Sequence, residues 1–378
     1  MTAKTYTNIM PRKCLLLLSL ALFSLPGVDS WGKEGHEIVG NLAYKLLSNE
    51  TKAAVHQILM IPPNLSHNKR GKEDPNSPLG DIADWADTVR HTSEFHWSGP
   101  LHYIDIHDNV VEGGCPVFHQ TKEQTKKCHF EYDRDCSEDF CVAGSIVNYT
   151  KYLVEWKQQQ QQQKQSTFFS SRFRGSADIL PSKLVQESLK FVTHFIGDIH
   201  QPLHSARTTD RGGNSINVEF NDHGTNRLSN DHRHKKHKGW ELHAVWDSGI
   251  IERDLFLNYQ GSRAALEDEL LDYILEAKDT GDMKKWLSCP DTRHNNCTTL
   301  WAEESWQNAL EWAYKNSDTD ETEVVSGTTL TEMYYETRLS IIKRLLCVAG
   351  VRLAASLEIA LGQSSSPNAK LPVRWDVE

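Results

Sequence analysis

Residues 191–204 read FVTHFIGDIHQPLH. His194 and Asp198 stand four apart, about one helical turn, so both side chains leave the same face. Leu184, Val185, Leu189, Val192, Phe195, Ile196 and Ile199 surround that face with core-type residues, the pattern of an interior helix. Pro202 ends the helix, because it has no N–H and its ring collides with the preceding turn. His204 follows at once and can turn back toward the same pocket. A buried imidazole and a buried carboxylate are costly unless paired or bound to a metal. Two histidines and an aspartate around one helix end therefore read either as a metal site or as a hydrogen-bonded core pair. The helix by itself does not separate the two.

The 378 residues are enough for one large core or two modest ones. Residues 1–30 have a basic flank at Lys4, Arg12 and Lys13, an apolar run from Cys14 to Leu25, and small residues near Ser30. This is the pattern of a cleaved secretory signal peptide, too short in its apolar part to span a bilayer. The expectation is a mature chain beginning at Trp31, with no stable membrane association, either secreted or held in a vacuole- or lysosome-like compartment. Cleavage removes three bases and one acid, taking the formal charge from −10 to −12. An acidic surface argues against a polyanionic partner, unless bound divalent metals reverse the sign locally. Cys115, Cys128, Cys136, Cys141, Cys289, Cys297 and Cys347 remain as disulfide candidates. Cys136 and Cys141 can close a small loop, and Cys347, inside an apolar helix, is the one expected to stay unpaired. Sequons at Asn49, Asn64, Asn148 and Asn296 fit a glycoprotein with these asparagines on surface loops.

Along the chain, helical periods occur over 34–47, 79–90, 141–156, 241–251, 264–277, 301–314 and 330–361. Residues 100–105, PLHYID, are short and apolar, and 109–140 are irregular and cysteine-bearing. Gln158–Gln163 has no apolar face and reads as a solvated insertion or helix extension. In GGNSINVEF the glycines turn the chain, and Ile216, Val218 and Phe220 alternate as in a strand. His232, His234 and His237 fall in a charged stretch that reads as an exposed loop. The fold class expected is mainly α with a small β element. A single domain fills 31–362, and 363–378 form a mobile tail.

A second H-x-x-x-D pair stands at His243 and Asp247. Together, HFIGDIHQPLH, the start WGKEGH at Trp31, WAD at Trp85–Asp87, LHYID and LHAVWD resemble the zinc-dependent type I nucleases. That family comprises the fungal single-strand-specific and plant bifunctional nucleases, of the phospholipase C/nuclease superfamily. The motifs run in the same order from Trp31 to about Ala354. The resemblance implies a multi-helix phospholipase C/nuclease-like fold and three zinc ions. Asp87, His102, His194 and Asp198 would hold one. The α-amino group and carbonyl of Trp31, His36 and a bridging Asp198 would hold a second. His204, His243 and Asp247 would hold the third. It further implies an endonuclease, expected as a monomer, that cuts single-stranded DNA and RNA to 5′-phosphate products, with 3′-nucleotidase action as a further candidate activity. Zinc activates water and offsets the charge of a phosphodiester under attack. Asp87 and Arg90 are the catalytic candidates; Arg90 either reaches the phosphate or braces Asp87. Tyr103 is a candidate stacking platform for a base, or else a core tyrosine. Asn214 either contacts substrate or shapes its turn.

The same resemblance implies the bridges Cys136–Cys141 and Cys128–Cys297, with Cys115–Cys289 as a remaining candidate. The chain departs from the family pattern in three ways. Thr225-Asn226 is separated from Leu242-His243 by an insertion, Ser248 stands where Asn is common, and the glutamine run is extra. Two other readings compete with a nuclease. A zinc-dependent phospholipase C would need an apolar cleft rim, which no stretch supplies. A secreted protein that only binds metal would not hydrolyse anything.

Overall fold

The computed structural model describes residues 31–61, 76–169, 180–222, 239–289, 297–316 and 321–362. The expected signal peptide, the tail from 363, the sequons at Asn64 and Asn296, Thr225-Asn226 and the His232–His237 stretch all lie outside them.

The chain is mainly helical, as expected. In order come α1 (Lys33–Leu46), α2 (Asn49–Ile58), α3 (Pro78–Ala83), α4 (Trp85–Val89), α5 (Lys122–Lys127), α6 (Tyr132–Asp135), α7 (Val142–Phe169) and α8 (Lys183–Asp198). Then follow α9 (Leu242–Ala244), α10 (Ile250–Tyr259), α11 (Arg263–Thr280), α12 (Asp282–Leu287), α13 (Cys297–Asn308) and α14 (Glu332–Leu361). Helix α8 is the quoted stretch. Ser182 starts it, its hydroxyl accepting from the Val185 N–H. It packs against α7, α3, α14 and α1. Phe191 and Phe195 are fully buried and stack on each other at 5.1 Å, each such burial contributing about 1.5–3 kcal/mol. Leu184 does not join them. It is 44% exposed, because in the first turn of α8 its direction falls off the packed face.

Two other expectations change. The helix expected over 79–90 breaks at Asp84, where α3 ends and α4 begins (φ −88°, ψ 3°). The helix expected over 141–156 continues to Phe169, through all six glutamines. Gln160 is buried behind Leu153 and Trp156, so the run does extend a packed face, and Lys157 pairs with Glu50 of α2 at 3.1 Å.

Short strands tie distant segments together. β1 (Ile104–Ile106) runs parallel to β2 (Ser205–Arg207), with Ile104 opposite Ser205. This register sets His102 and Tyr103 beside His204. β3 (Asn217–Phe220) is antiparallel to β4 (Trp240–Glu241) and parallel to β5 (Thr329–Leu330). Its alternating burial leaves Val218 and Phe220 inside, as the sequence pattern required. Because β4 leads straight into α9, the β3–β4 pairing also brings His243 over the turn before β3.

The disulfides correct the expected pairing. Cys136 joins Cys141, but Cys128 joins Cys115 and Cys289 joins Cys297; the expected Cys128–Cys297 bridge is not formed. Residues 115–128 curl back on themselves, with Gln124 hydrogen-bonded to the Glu112 and Gly114 carbonyls. The nearer cysteine therefore meets Cys128 at a Cα separation of 5.5 Å. Cys347 is free and buried in α14. Of the described sequons, Asn49 and Asn148 are exposed but lie on α2 and α7 rather than on loops.

Candidate metal centre and cleft

His102, His194, Asp87 and Asp198 converge from the 3₁₀ turn His96–His102, α8 and α4. The His102 Nδ1 lies 3.1 Å from His194 Nε2, 3.0 Å from Asp198 Oδ2 and 3.5 Å from Asp87 Oδ1. His194 Nε2 lies 3.4 Å from Asp198 Oδ2 and 3.6 Å from Asp87 Oδ1. A tetrahedron of ligands around zinc at its usual bond lengths has edges of about 3.3 Å, so the donor spacing fits one ion. The other oxygen of Asp198 turns away, toward His36 Nε2 at 3.3 Å. One carboxylate thus faces two groups of donors, and the His36 ring stacks on His194 at 3.8 Å.

The ring orientations are held from behind. The break at Asp84 leaves the Ala83 carbonyl outside the helix ladder, and it accepts from His194 Nδ1 at 2.6 Å. That bond leaves Nε2 facing the cluster, the usual support of a metal-binding imidazole. Gly197 makes room: a Cβ there would lie 2.7 Å from His36 Nδ1. Trp31 is fully buried, against Gly35 and beside Gly197. The amide of Gly32 donates to the Asp247 carbonyl at 2.8 Å, so the start of the domain reaches both halves of the site.

Electrostatics point the same way. Burial, then the charge of His194, pushes His36 and His102 well below the ordinary imidazole value. Burial also opposes charge on His194, but Asp198 and Asp87 lift its pKa to about 9. Burial pushes Asp198 the other way, well above the usual carboxylate range, so these buried oxygens gain from a positive charge at the centre of the cluster. A divalent cation in that position serves the same oxygens with more charge.

His204, His243 and Asp247 form a second cluster. The 3₁₀ turn Pro202–His204 carries the first, and a π-helical turn over Val245–Gly249 carries the last. The π turn interrupts the single helix expected over 241–251; such turns recur at functional sites. His204 Nδ1 donates to the His102 carbonyl at 2.7 Å and His243 Nδ1 to the Gly212 carbonyl at 2.6 Å. Their Nε2 atoms then face each other as lone-pair donors at 3.1 Å, with Asp247 Oδ2 at 3.5 Å from His243. Sequence reasoning missed Gln201. It is fully buried, its Nε2 donates to Asp247 Oδ1 at 2.5 Å, and its Oε1 accepts from the Leu203 N–H. Only its position between two ligand segments in the motif hinted at this. Ser248 lies against Gly32.

Beside both clusters lies a cleft of about 540 Å³, within the range of ordinary ligand sites. Arg90, Tyr103, Leu203 and Gly212 line its inner part, and His96, Trp97, Phe140 and Arg211 its outer part. Arg90 is buried and its Nε sits 3.2 Å from Asp87 Oδ1. Tyr103 is half-buried and lines the cleft just before β1. Asn214 is not among the lining residues; its amide donates to the Arg211 carbonyl at 2.8 Å. Asp105, Trp97, Phe140 and Arg211 are cleft residues the sequence did not single out, since none has a characteristic spacing.

A family model described as S1/P1 Nuclease matches residues 31–362. Over 349 residues the chain is 33% identical to Endonuclease 2 of Arabidopsis thaliana, covering 90% of this chain and 94% of the relative. It is 28% identical over 362 residues to Nuclease S1 of Aspergillus oryzae, covering 94% and 100%. It is 30% identical over 223 residues to Nuclease P1 of Penicillium citrinum, covering 59% of each.

Proposed function

The chain belongs to the S1/P1 nuclease family, and from that premise we propose a secreted, three-zinc endonuclease that hydrolyses single-stranded DNA and RNA to 5′-phosphate products. The observation that carries it is Asp198: its two oxygens face His102 with His194 on one side and His36 on the other. Such a carboxylate could serve two cations, one held with each group of donors.

In this reading Asp87, His102, His194 and Asp198 hold one zinc. Trp31, through its freed amine and carbonyl, holds a second with His36 and Asp198. His204, His243 and Asp247 hold the third. Bound zinc would supply water activation at neutral pH and charge for the phosphate oxygens. The residues do the rest. Ala83, His102 and Gly212 carbonyls keep three imidazoles in one tautomer. Arg90 braces Asp87 and turns its remaining N–H groups to the scissile phosphate. Tyr103 stacks a base whose face is open, as in a single strand. Asn214 holds the turn that carries Gly212. The same pocket would accept a 3′-nucleotide. The enzyme works as one unit over 31–362, as a monomer, between a leader at 1–30 and a tail at 363–378. Three disulfides and exposed sequons support the secretory route.

The test is metal counting and single-strand nuclease assay on protein beginning at Trp31, beside a form with one extra residue before it. The expected result is three zinc per chain and hydrolysis lost to a chelator. The extended form should lose one zinc and most activity. Full metal content and activity in the extended form would remove the amine from the ligand set. A count of one or none would end the three-zinc reading.

A further inference from the structure

Arg211 is the cleft residue that the reading above leaves unused. It lies in the turn before β3 with φ +58°, next to Gly212 at +59° and Gly213 at +81°. Left-handed backbone suits glycine and strains an arginine. Strain of this kind tends to be kept where a side chain has work to do. The side chain is exposed and lines the cleft together with Arg90 and Tyr103.

The two arginines differ in their partners. Arg90 is buried and paired with Asp87. Among the described residues, the Arg211 guanidinium has no hydrogen bond and no ion pair. The bonds of this residue are made by its backbone: the N–H donates to the Thr208 carbonyl, and the carbonyl accepts from the Asn214 N–H and amide. Its charge nevertheless reaches across the cleft floor. Burial raises the pKa of Asp105, and Arg211 works against that rise. The cleft thus has one cation fixed beside the candidate metal centre and a second, unpartnered, at its rim. In an acidic protein, a lone positive charge on a strained turn facing an anionic substrate favours anion binding over ordinary surface solvation.

We propose that Arg211 binds a second phosphate, one removed from the bond being cut, so that the protein favours chains with several phosphates over a lone phosphodiester. The inference rests on the nuclease reading. A guanidinium offers two parallel N–H groups to a phosphate. The contact also releases a counterion, which makes it salt-sensitive.

Kinetics on a short single-stranded oligonucleotide and on a dinucleoside monophosphate test it, with the zinc-loaded protein, Arg211→Gly and Arg211→Lys. The parent should cut both. Arg211→Gly should raise KM for the oligonucleotide about fivefold to tenfold at low salt, and lower the log–log salt slope of kcat/KM by about one. The drop in kcat/KM on the dinucleoside monophosphate should be clearly smaller. Arg211→Lys keeps a point charge and should recover most of the loss. The melting temperature of Arg211→Gly should not fall, since glycine accepts this backbone; that separates a lost contact from a lost fold. An unchanged KM on the oligonucleotide, or equal losses on the two substrates, overturns the proposal. If the parent cuts neither substrate, the nuclease reading fails and Arg211 falls with it.

Discussion

His194/Asp198 and His243/Asp247 share one spacing, yet the two pairs are held by different forces. The first sits on regular α8, with both side chains fully buried among α1, α3, α7 and α14. Its donors are fixed by helix packing, and only the Ala83 carbonyl is added from a helix end. The second straddles α9 and a π turn. Its donors are fixed by hydrogen bonds from turns: Gln201 to Asp247, the Gly212 carbonyl to His243, and the His102 carbonyl to His204. Equal spacing in a sequence therefore does not mean equal rigidity. One centre is a property of the core, and the other is a property of three loops meeting.

The sharpest way to break this comparison is at Asp198. On the three-zinc reading, Asp198→Asn should empty both positions that share the carboxylate and lower single-strand hydrolysis by about 10³-fold or more. Metal content should fall from three toward one, read by elemental analysis. A variant that kept three would place the shared carboxylate elsewhere. The next largest effect belongs to the other centre. Gln201→Glu puts an oxygen where an N–H meets Asp247, so affinity for one zinc should fall about 10- to 100-fold, with the other two retained. Loss of all three would show that the centres are not independent.

Gly212→Ala tests the turn itself. The residue has φ +59°, and a Cβ would lie 2.4 Å from the Leu203 carbonyl oxygen. A loss of about 1–3 kcal/mol is expected in chemical unfolding, with the His243 zinc weakened. The smallest effect is electrostatic. Burial raises the pKa of Asp210 to about 6 from its usual 3.8, against hydrogen bonds from the Gly213 N–H and the Tyr314 hydroxyl. The folded state holds this proton more tightly than the unfolded one. Its contribution is thus full below pH 3.8 and is lost as pH rises through about 6, on the order of 2–3 kcal/mol. Asp210→Asn should flatten that part of the melting profile between pH 4 and 6.5 and be the more stable form above it.

Much of this was legible beforehand for a simple reason. His194 and Asp198 are four apart on an element whose period is nearly four, so their shared face follows from the backbone alone. The alternation at Ile216, Val218 and Phe220 read correctly for the same reason. Cys128 is the contrary case: its reach to Cys115 rather than Cys297 depends on how residues 115–128 fold back, which no spacing records. Leu184 looked like core because its type is apolar, but its place in the first turn of α8 leaves it outside. Of the two readings of the glutamine run the helix extension holds, and Gln160 continues the buried line of Leu153 and Trp156.

The sequence by itself determined the helical class, the two one-turn His–Asp pairs and the family, because these depend on residue types at fixed short separations. Only the tertiary structure decided which carbonyl orients each imidazole, that Gln201 grips Asp247, and that Arg211 stands at the cleft rim with no side-chain partner among the described residues. Those relations join segments up to 111 residues apart, and their geometry is set by strand register, helix breaks and left-handed turns acting together rather than by any one stretch of chain.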